Sequence, residues 1–278
     1  VTVRVPASSA NLGPGFDALG LALSLHAEIG VVDVDPRPDR CVLADQHHPA
    51  TVAFRRAGGD GDLWVASPIP IGRGLGYSGA MRVGGAVAGF AQRSADPTAE
   101  FAHEILTLTT DLEGHADNVA ASLLGGVVAT AAGRAVRVPL AVDPAVVVWV
   151  PSTTTSTDQS RSSLPQDVSF EDAVFTVGRA ALLVAALAAG AVEALADATQ
   201  DRLHQDARLA ARPTSHDALA RGREAGAWCG WLSGSGPTVA LLCPLDRTDE
   251  IAAALPDDGS VKVLRIDHEG AVVERSAL

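Results

Sequence analysis

This sequence predicts a chain of intermixed strands and helices packed as two halves, and three observations carry that expectation. At 278 residues and 47% hydrophobic content, the chain is long and apolar enough to bury a large core. Short β-branched runs are interspersed with longer stretches of helical character. After Pro151 the composition shifts to the polar stretch STTTSTDQSRSSLP, which sets a boundary between residues 1–150 and 151–278.

Taken in order, VTVRVPASSANLGPGFDALGLAL and then HAEIGVVDVD read as strand, glycine-rich turn and strand. DLWVASPIPI reads as another strand, stopped by prolines that lack an N–H for a ladder. A helix is expected from Gly76 onward. FAHEILTLTTDLEGHADNVAASLLGGVVATAA follows as helix, loop, helix and strand, and AVVVWVP is a buried strand by its β-branched run. Past the polar stretch, Ser169 and Asp172 have N-cap spacing ahead of FTVGRAALLVAALAAG, which carries an apolar face. WCGWLSGSGPTVALLCP reads as strand, tight turn, strand, and SVKVLRID and AVVERS as two closing strands.

Composition removes several function classes. No uninterrupted apolar run reaches the roughly 18–20 residues of a membrane span, the longest candidate being AALLVAALAAGAV from Ala180. VTVRVPASSA lacks the basic-then-apolar pattern of a signal peptide, so a cytoplasmic protein without a membrane partner is expected. Cys41, Cys229 and Cys243 have no CxxC partner and read as isolated thiols. The net charge of −12, with no basic block, argues against nucleic acid as a partner. Lys262 is the one lysine, which excludes a Walker loop with its GK[ST] ending. An acidic chain can still hold a nucleotide if backbone amides, a helix N-terminus and Mg²⁺ supply the positive field.

The stretch Gly74-Leu75-Gly76-Tyr77-Ser78-Gly79 raises the main functional question. It fits GxGxxG, but prolines break the preceding strand and no acidic strand end follows about 20 residues on, as a dinucleotide fold requires. It equally fits a phosphate cradle of backbone amides with a helix N-terminus behind it, or a turn chosen for tight packing. Three further stretches weigh against packing alone. PASSANLGPGFDALGLAL flanks a Gly-Pro-Gly turn with Asn11 and Asp17. LEGHADNVAASLLGG gathers Glu113, His115, Asp117 and Asn118 at a helix start. WLSGSGPTVALL sets the turn Gly234-Ser235-Gly236 between strands.

Together these motifs resemble the signatures of the GHMP kinases, most of all the homoserine kinase branch. STDQSR, DAVFTVGRAALLVAAL and RLHQDAR add weaker matches, so the resemblance runs from about residue 2 to 243. It implies a two-domain α+β fold. The N-terminal domain (1–150) would resemble ribosomal protein S5 domain 2 and carry the phosphate loop; the C-terminal domain (151–278) would be ferredoxin-like. It implies ATP and Mg²⁺ as cofactors, with Ser78 and Glu113 as metal ligands. Arg73, Gly74, Leu75, Gly76, Tyr77, Ser78, Gly79, Gly234, Ser235 and Gly236 would contact the nucleotide. Arg161 and Arg208 would take a substrate carboxylate, since a planar guanidinium pairs with it bidentately. Asn11, Asp17 and His115 would shape the amino and hydroxyl side. Asn118, Thr157 and Glu113 would form the catalytic group, with Asn118 standing where an aspartate base acts in mevalonate kinase.

The activity so implied is phosphorylation of L-homoserine to O-phospho-L-homoserine for threonine synthesis, by direct in-line transfer without a carboxylate base. The alternatives are a kinase for another hydroxy amino acid or amino alcohol, and a non-catalytic binding protein of the same fold. A homodimer is expected by family analogy. The chain also departs from the pattern. GLGYSGAM replaces GLGSSAAA, and Arg82 adds a charge one position later. The region 40–63 around DQHH, where the family forms its adenine pocket, is short, and LHQDAR lacks the family's Pro-Tyr.

Overall fold

The computed structural model describes residues 1–154, 157–162 and 164–275, with the side chains of 157–159 outside that set. Its elements, in chain order, are β1 (Thr2–Ala10), β2 (Leu19–Val31), β3 (Val42–Ala44), α1 (Pro49–Arg56), β4 (Leu63–Ala66) and α2 (Tyr77–Ala91). There follow α3 (Pro97–Glu100), α4 (Ala102–Glu113), α5 (Asp117–Leu124), β5 (Val127–Ala131), β6 (Arg134–Val138), β7 (Ala145–Pro151) and α6 (Thr157–Ser162). The remainder is α7 (Phe170–Ala189), α8 (Leu195–Ala198), α9 (Gln205–Ala210), α10 (Pro213–Glu224), β8 (Cys229–Leu232), β9 (Val239–Cys243), α11 (Thr248–Ala254), β10 (Gly259–Arg265) and β11 (Val272–Glu274).

Two antiparallel sheets organise these elements. In the first, the order is β11-β1-β2-β4-β3, with β5 on β2 and β6 on β5. β2 is long enough to serve two partners on one side: Leu19–Leu21 pairs β5 and Glu28–Val31 pairs β4. The second sheet runs β10-β7-β9-β8. Its strand β7 is buried along its whole length, which explains its unbroken apolar run. Val146, Val148 and Val150 face the large core shared with the first sheet; Val147 and Trp149 face a smaller one with Leu219 and Ile251, from α10 and α11.

Residue 150, where the sequence divides, lies inside β7, a strand of the second sheet, and β11 returns to the first sheet against β1. The reason is local: Arg265 N–H bonds Ser24 Oγ and Ile266 bridges Leu23, which carries the chain from β10 to the first sheet.

The helix after the polar stretch starts where its caps predict. Ser169 Oγ accepts from Asp172 N–H at 3.0 Å and donates to Asp172 Oδ2 at 2.7 Å. Its apolar surface is longer than an uninterrupted run suggests. α7 has a mean hydropathy of 1.7 over its best window, and among the described residues it is the helix with the length and composition to span a membrane. Here Leu183, Ala186 and Leu187 dock into the large core, while Phe170, Val174 and Val177 face solvent.

Candidate active site

Three glycine-rich turns meet in one cleft because buried hydroxyls tie them together. Trp231 Nε1–H donates to Ser9 Oγ at 2.9 Å, and Ser9 and Ser233 share a 2.7 Å hydroxyl contact. Ser233 Oγ then donates to Gly74 O at 2.6 Å, so the direction of the chain is fixed from Trp231 to the phosphate loop. Asn11 closes the third side: its Nδ2 donates to Gly234 O at 3.0 Å and its Oδ1 accepts from Asp17 N–H at 3.1 Å. Asn11 thereby holds the turns together while lining the cleft.

The glycines at 74 and 76 have a steric reason. Gly74 has φ +76°, and a Cβ there would come within 2.2 Å of Ser233 O. Gly76 has φ +67° and caps α2; a Cβ would come within 2.1 Å of Ser8 Oγ and 3.0 Å of Asn118 Oδ1. No side chain caps α2, so its first-turn N–H groups are available to an anion in the cleft. Leu75 instead turns into the hydrophobic core and does not line the cleft; Gly79 packs against Asn118, and Gly236 sits behind the turn against Leu232. Arg73 lines the cleft, but its guanidinium donates to Pro151 O and so joins the loop to the second sheet.

Among the other residues expected from sequence, Asn11, Asp17, Tyr77, Ser78, Glu113, His115, Asn118, Arg161, Arg208, Gly234 and Ser235 all line this cleft. The Thr157 side chain lies outside the described residues. Asn118 is oriented by a relay: Ser122 Oγ donates to Ser8 Oγ at 3.3 Å, and Ser8 Oγ donates to Asn118 Oδ1 at 2.9 Å. With Oδ1 engaged, the amide presents its N–H₂ as a donor. Ser78 Oγ donates to Glu113 Oε2 at 2.9 Å, joining the start of α2 to the end of α4. These two hard oxygen donors suit Mg²⁺, which completes its octahedron with phosphate oxygens and water.

Opposite charges line the other end. Arg161 pairs with Asp17 at 2.7 Å. His115 shares a 2.7 Å contact with Asp117; burial would lower the imidazole pKa, but the Asp117 hydrogen bond and charge outweigh it and raise the value. Asp17, His115 and Asp117 offer ligand atoms within 4.8 Å of one another, a group suited to a cation such as an ammonium.

Arg208 has a different environment. It is 3% exposed, and its Nε has no hydrogen-bond partner. Burial, then the cations Arg161 and Arg212, push its pKa down to about 10, so it stays charged at neutral pH. Its side-chain bonds go to neutral acceptors, His204 Nδ1 at 3.0 Å and Gly234 O at 3.3 Å.

Two residues that sequence reasoning missed hold this arginine. His204 is buried, which lowers its pKa and keeps it neutral; its Nε2–H donates to Gly13 O at 2.7 Å, leaving Nδ1 to accept from Arg208. Phe16 lies beneath both arginines, with guanidinium carbons 5.1 Å (Arg161) and 5.3 Å (Arg208) from its ring centroid. His204 sits in RLHQDAR four residues before Arg208, so helical spacing was the available signal.

Tyr77 also has a definite place. His48 Nδ1 accepts from Ala50 N–H at the start of α1, so its Nε2–H donates to the Tyr77 hydroxyl at 3.0 Å. Burial lowers the His48 pKa and raises that of Tyr77, so both are neutral. The shortened region around DQHH thus meets the phosphate loop through this pair.

Comparisons with known proteins agree with this architecture. The model for the GHMP kinases N terminal domain matches residues 46–126, and that for GHMP kinases C terminal matches residues 183–261. A homoserine kinase of Streptomyces coelicolor is 39% identical over 98% of this chain and 94% of its own. One from Moorella thermoacetica is 39% identical over 98% of this chain and 99% of its own. The crystal structure of a homoserine kinase from Cytophaga hutchinsonii superposes with a TM-score of 0.83 at 23% identity, covering 98% and 96% of the two chains. With its fold, its cleft and its relatives in agreement, this chain belongs to the GHMP kinases and is most like the homoserine kinases among them.

Proposed function

We propose that this chain transfers the γ-phosphoryl group of ATP to the side-chain hydroxyl of L-homoserine, giving O-phospho-L-homoserine for threonine synthesis. The observation that carries the substrate class is Arg208. A buried guanidinium bonded only to neutral groups, beside a second arginine, is costly unless an anion completes it. A carboxylate does so with paired N–H···O bonds. Asp17, His115 and Asp117 would take the ammonium group, which places the remaining hydroxyl toward the phosphate loop.

In this reading the triphosphate lies across the amides of residues 73–79 and the N-terminus of α2, with Gly234 and Ser235 opposite. Ser78 and Glu113 would hold Mg²⁺, which neutralises phosphate charge when bound. Asn118, fixed by Ser8, donates its N–H₂ toward the moving phosphoryl group. An amide is no proton acceptor, so the residues here act by positioning and by stabilising charge, which suffices for a loose phosphoryl-transfer transition state. Thr157, by family resemblance, would also act near the transferring phosphoryl group. The protein would be cytoplasmic, binding small molecules, and a homodimer by family analogy.

A substrate panel with coupled ADP detection tests the assignment. L-Homoserine should exceed L-serine and L-threonine in kcat/KM, and 3-aminopropan-1-ol, which lacks the carboxylate, should lose about 100-fold or more. Equal turnover of the amino alcohol would remove the carboxylate from the reading. Failure to bind Mg-ATP would favour a non-catalytic binding protein instead.

A further inference from the structure

The metal carboxylate of this site already has a cation. Arg82 forms an ion pair with Glu113 Oε2, the same oxygen that accepts from Ser78. Ser78 and Arg82 are four residues apart on α2 and so share one face of the helix. Arg82 is the single charged residue of that helix, YSGAMRVGGAVAGFA, and among the described residues Glu113 is its carboxylate partner. Its side chain is 23% exposed and that of Glu113 10%, so both are largely withdrawn from water. Withdrawing a cation from water carries a desolvation cost. Glu113 is what offsets that cost.

We infer that Arg82 is a resident rival of the divalent cation: it neutralises Glu113 before nucleotide arrives, so the site takes metal only together with a polyphosphate. The inference rests on the proposal that Ser78 and Glu113 hold the metal. With Arg82 in place, Ser78, Glu113 and Arg82 sum to zero formal charge, and a free divalent ion finds no unpaired carboxylate. A nucleotide brings four or so negative charges, which repay the displacement of Arg82 and give its guanidinium an alternative anion. Arg82 would therefore set the order of assembly, with metal following or accompanying nucleotide.

Mn²⁺ binding, read by electron paramagnetic resonance and calorimetry, tests this without turnover. In the absence of nucleotide, Arg82→Leu should bind Mn²⁺ about tenfold tighter than the wild type, and Arg82→Lys should resemble the wild type. Adding Glu113→Gln to Arg82→Leu should erase the gain. With ADP present, the wild type and Arg82→Leu should differ far less. If Arg82→Leu is folded by circular dichroism yet binds free Mn²⁺ within twofold of the wild type, the rivalry is overturned while the metal site stands. If Glu113→Gln leaves Mn²⁺-ADP binding unchanged, the metal does not sit at Glu113, and both the site and the inference fall. Should Arg82→Leu not fold, the Arg82→Ala and Arg82→Gln variants answer the same question.

Discussion

Arg208 and His204 show how a single side chain can be prepared for a ligand. The neutral tautomer of His204 is set by Gly13 O, and that choice leaves Nδ1 free to aim the Arg208 guanidinium. Removing Arg208 as alanine should raise KM for the amino acid roughly thirtyfold or more, because a buried charge partner is worth about 2–5 kcal/mol. His204→Gln should raise the same KM by less, leave KM for ATP unchanged and lower kcat little, since it acts through Arg208. Initial rates over both substrates separate these outcomes; an effect of His204→Gln confined to kcat would contradict a positioning role. Arg208 itself was singled out in the sequence through its family motif, and it lines the cleft. Phe16 was not, because it meets Arg161 and Arg208 from far away in the chain, whereas His204 was overlooked despite its helical spacing, four residues before Arg208. Asn11 was legible as a residue of the cleft; its bonds to Gly234 O and Asp17 N–H, which hold the turns together, were not.

At the scale of elements, the site depends on a few close approaches. β1 ends at residue 10, α2 starts at residue 77 and α5 starts at residue 117, and Ser8, Gly76 and Asn118 meet where these ends converge. Gly76→Ala should cost about 1–3 kcal/mol, from the left-handed φ and the forced displacement of Ser8 and Asn118. It should also lower kcat sharply, since Asn118 loses its fixed orientation. Urea unfolding and kcat on one preparation check this; a variant with wild-type values for both would remove the steric account. The helix, the strand ends and the glycine turns were all readable from periodicity and turn chemistry. β3, α1, β6 and the short helices α8 and α9 were not singled out, because they are brief and take their stability from neighbours rather than from their own pattern; α10 was missed because its buried face, Ser215, Ala218, Leu219 and Gly222, carries little apolar periodicity. Tyr77 belongs here too: a substitution within the phosphate loop acquires meaning only when α1 brings His48 to it.

Over the whole molecule, one buried carboxylate joins the far end of the chain to the first sheet. Asp267 accepts from His26 Nε2 at 2.7 Å, Gly270 N–H at 2.7 Å and Glu269 N–H at 3.0 Å, with Arg4 3.9 Å away. Burial alone would raise its pKa, but these donors outweigh burial and hold it below the ordinary carboxylate value. A depressed folded-state pKa adds stability above the unfolded value, near 3.9, and that stability is lost as the pH falls through the lowered one. Asp267→Asn should therefore cost about 1–3 kcal/mol at pH 7, with the gap to the wild type narrowing below about pH 4. Urea midpoints at pH 7 and pH 3 measure it; a gap that does not narrow would assign the loss to packing. The division of the chain into halves was legible only in outline, since register between residues 2–4 and 272–274 leaves no local signature. That pairing also bears on biosynthesis. While a ribosome is still extending the polypeptide, the outer rim of the first sheet stands bare at β1, and it is sealed only after some 270 further residues have emerged. A nascent chain of this design carries an open β-edge through that whole interval, which makes that rim the natural place for a chaperone to guard.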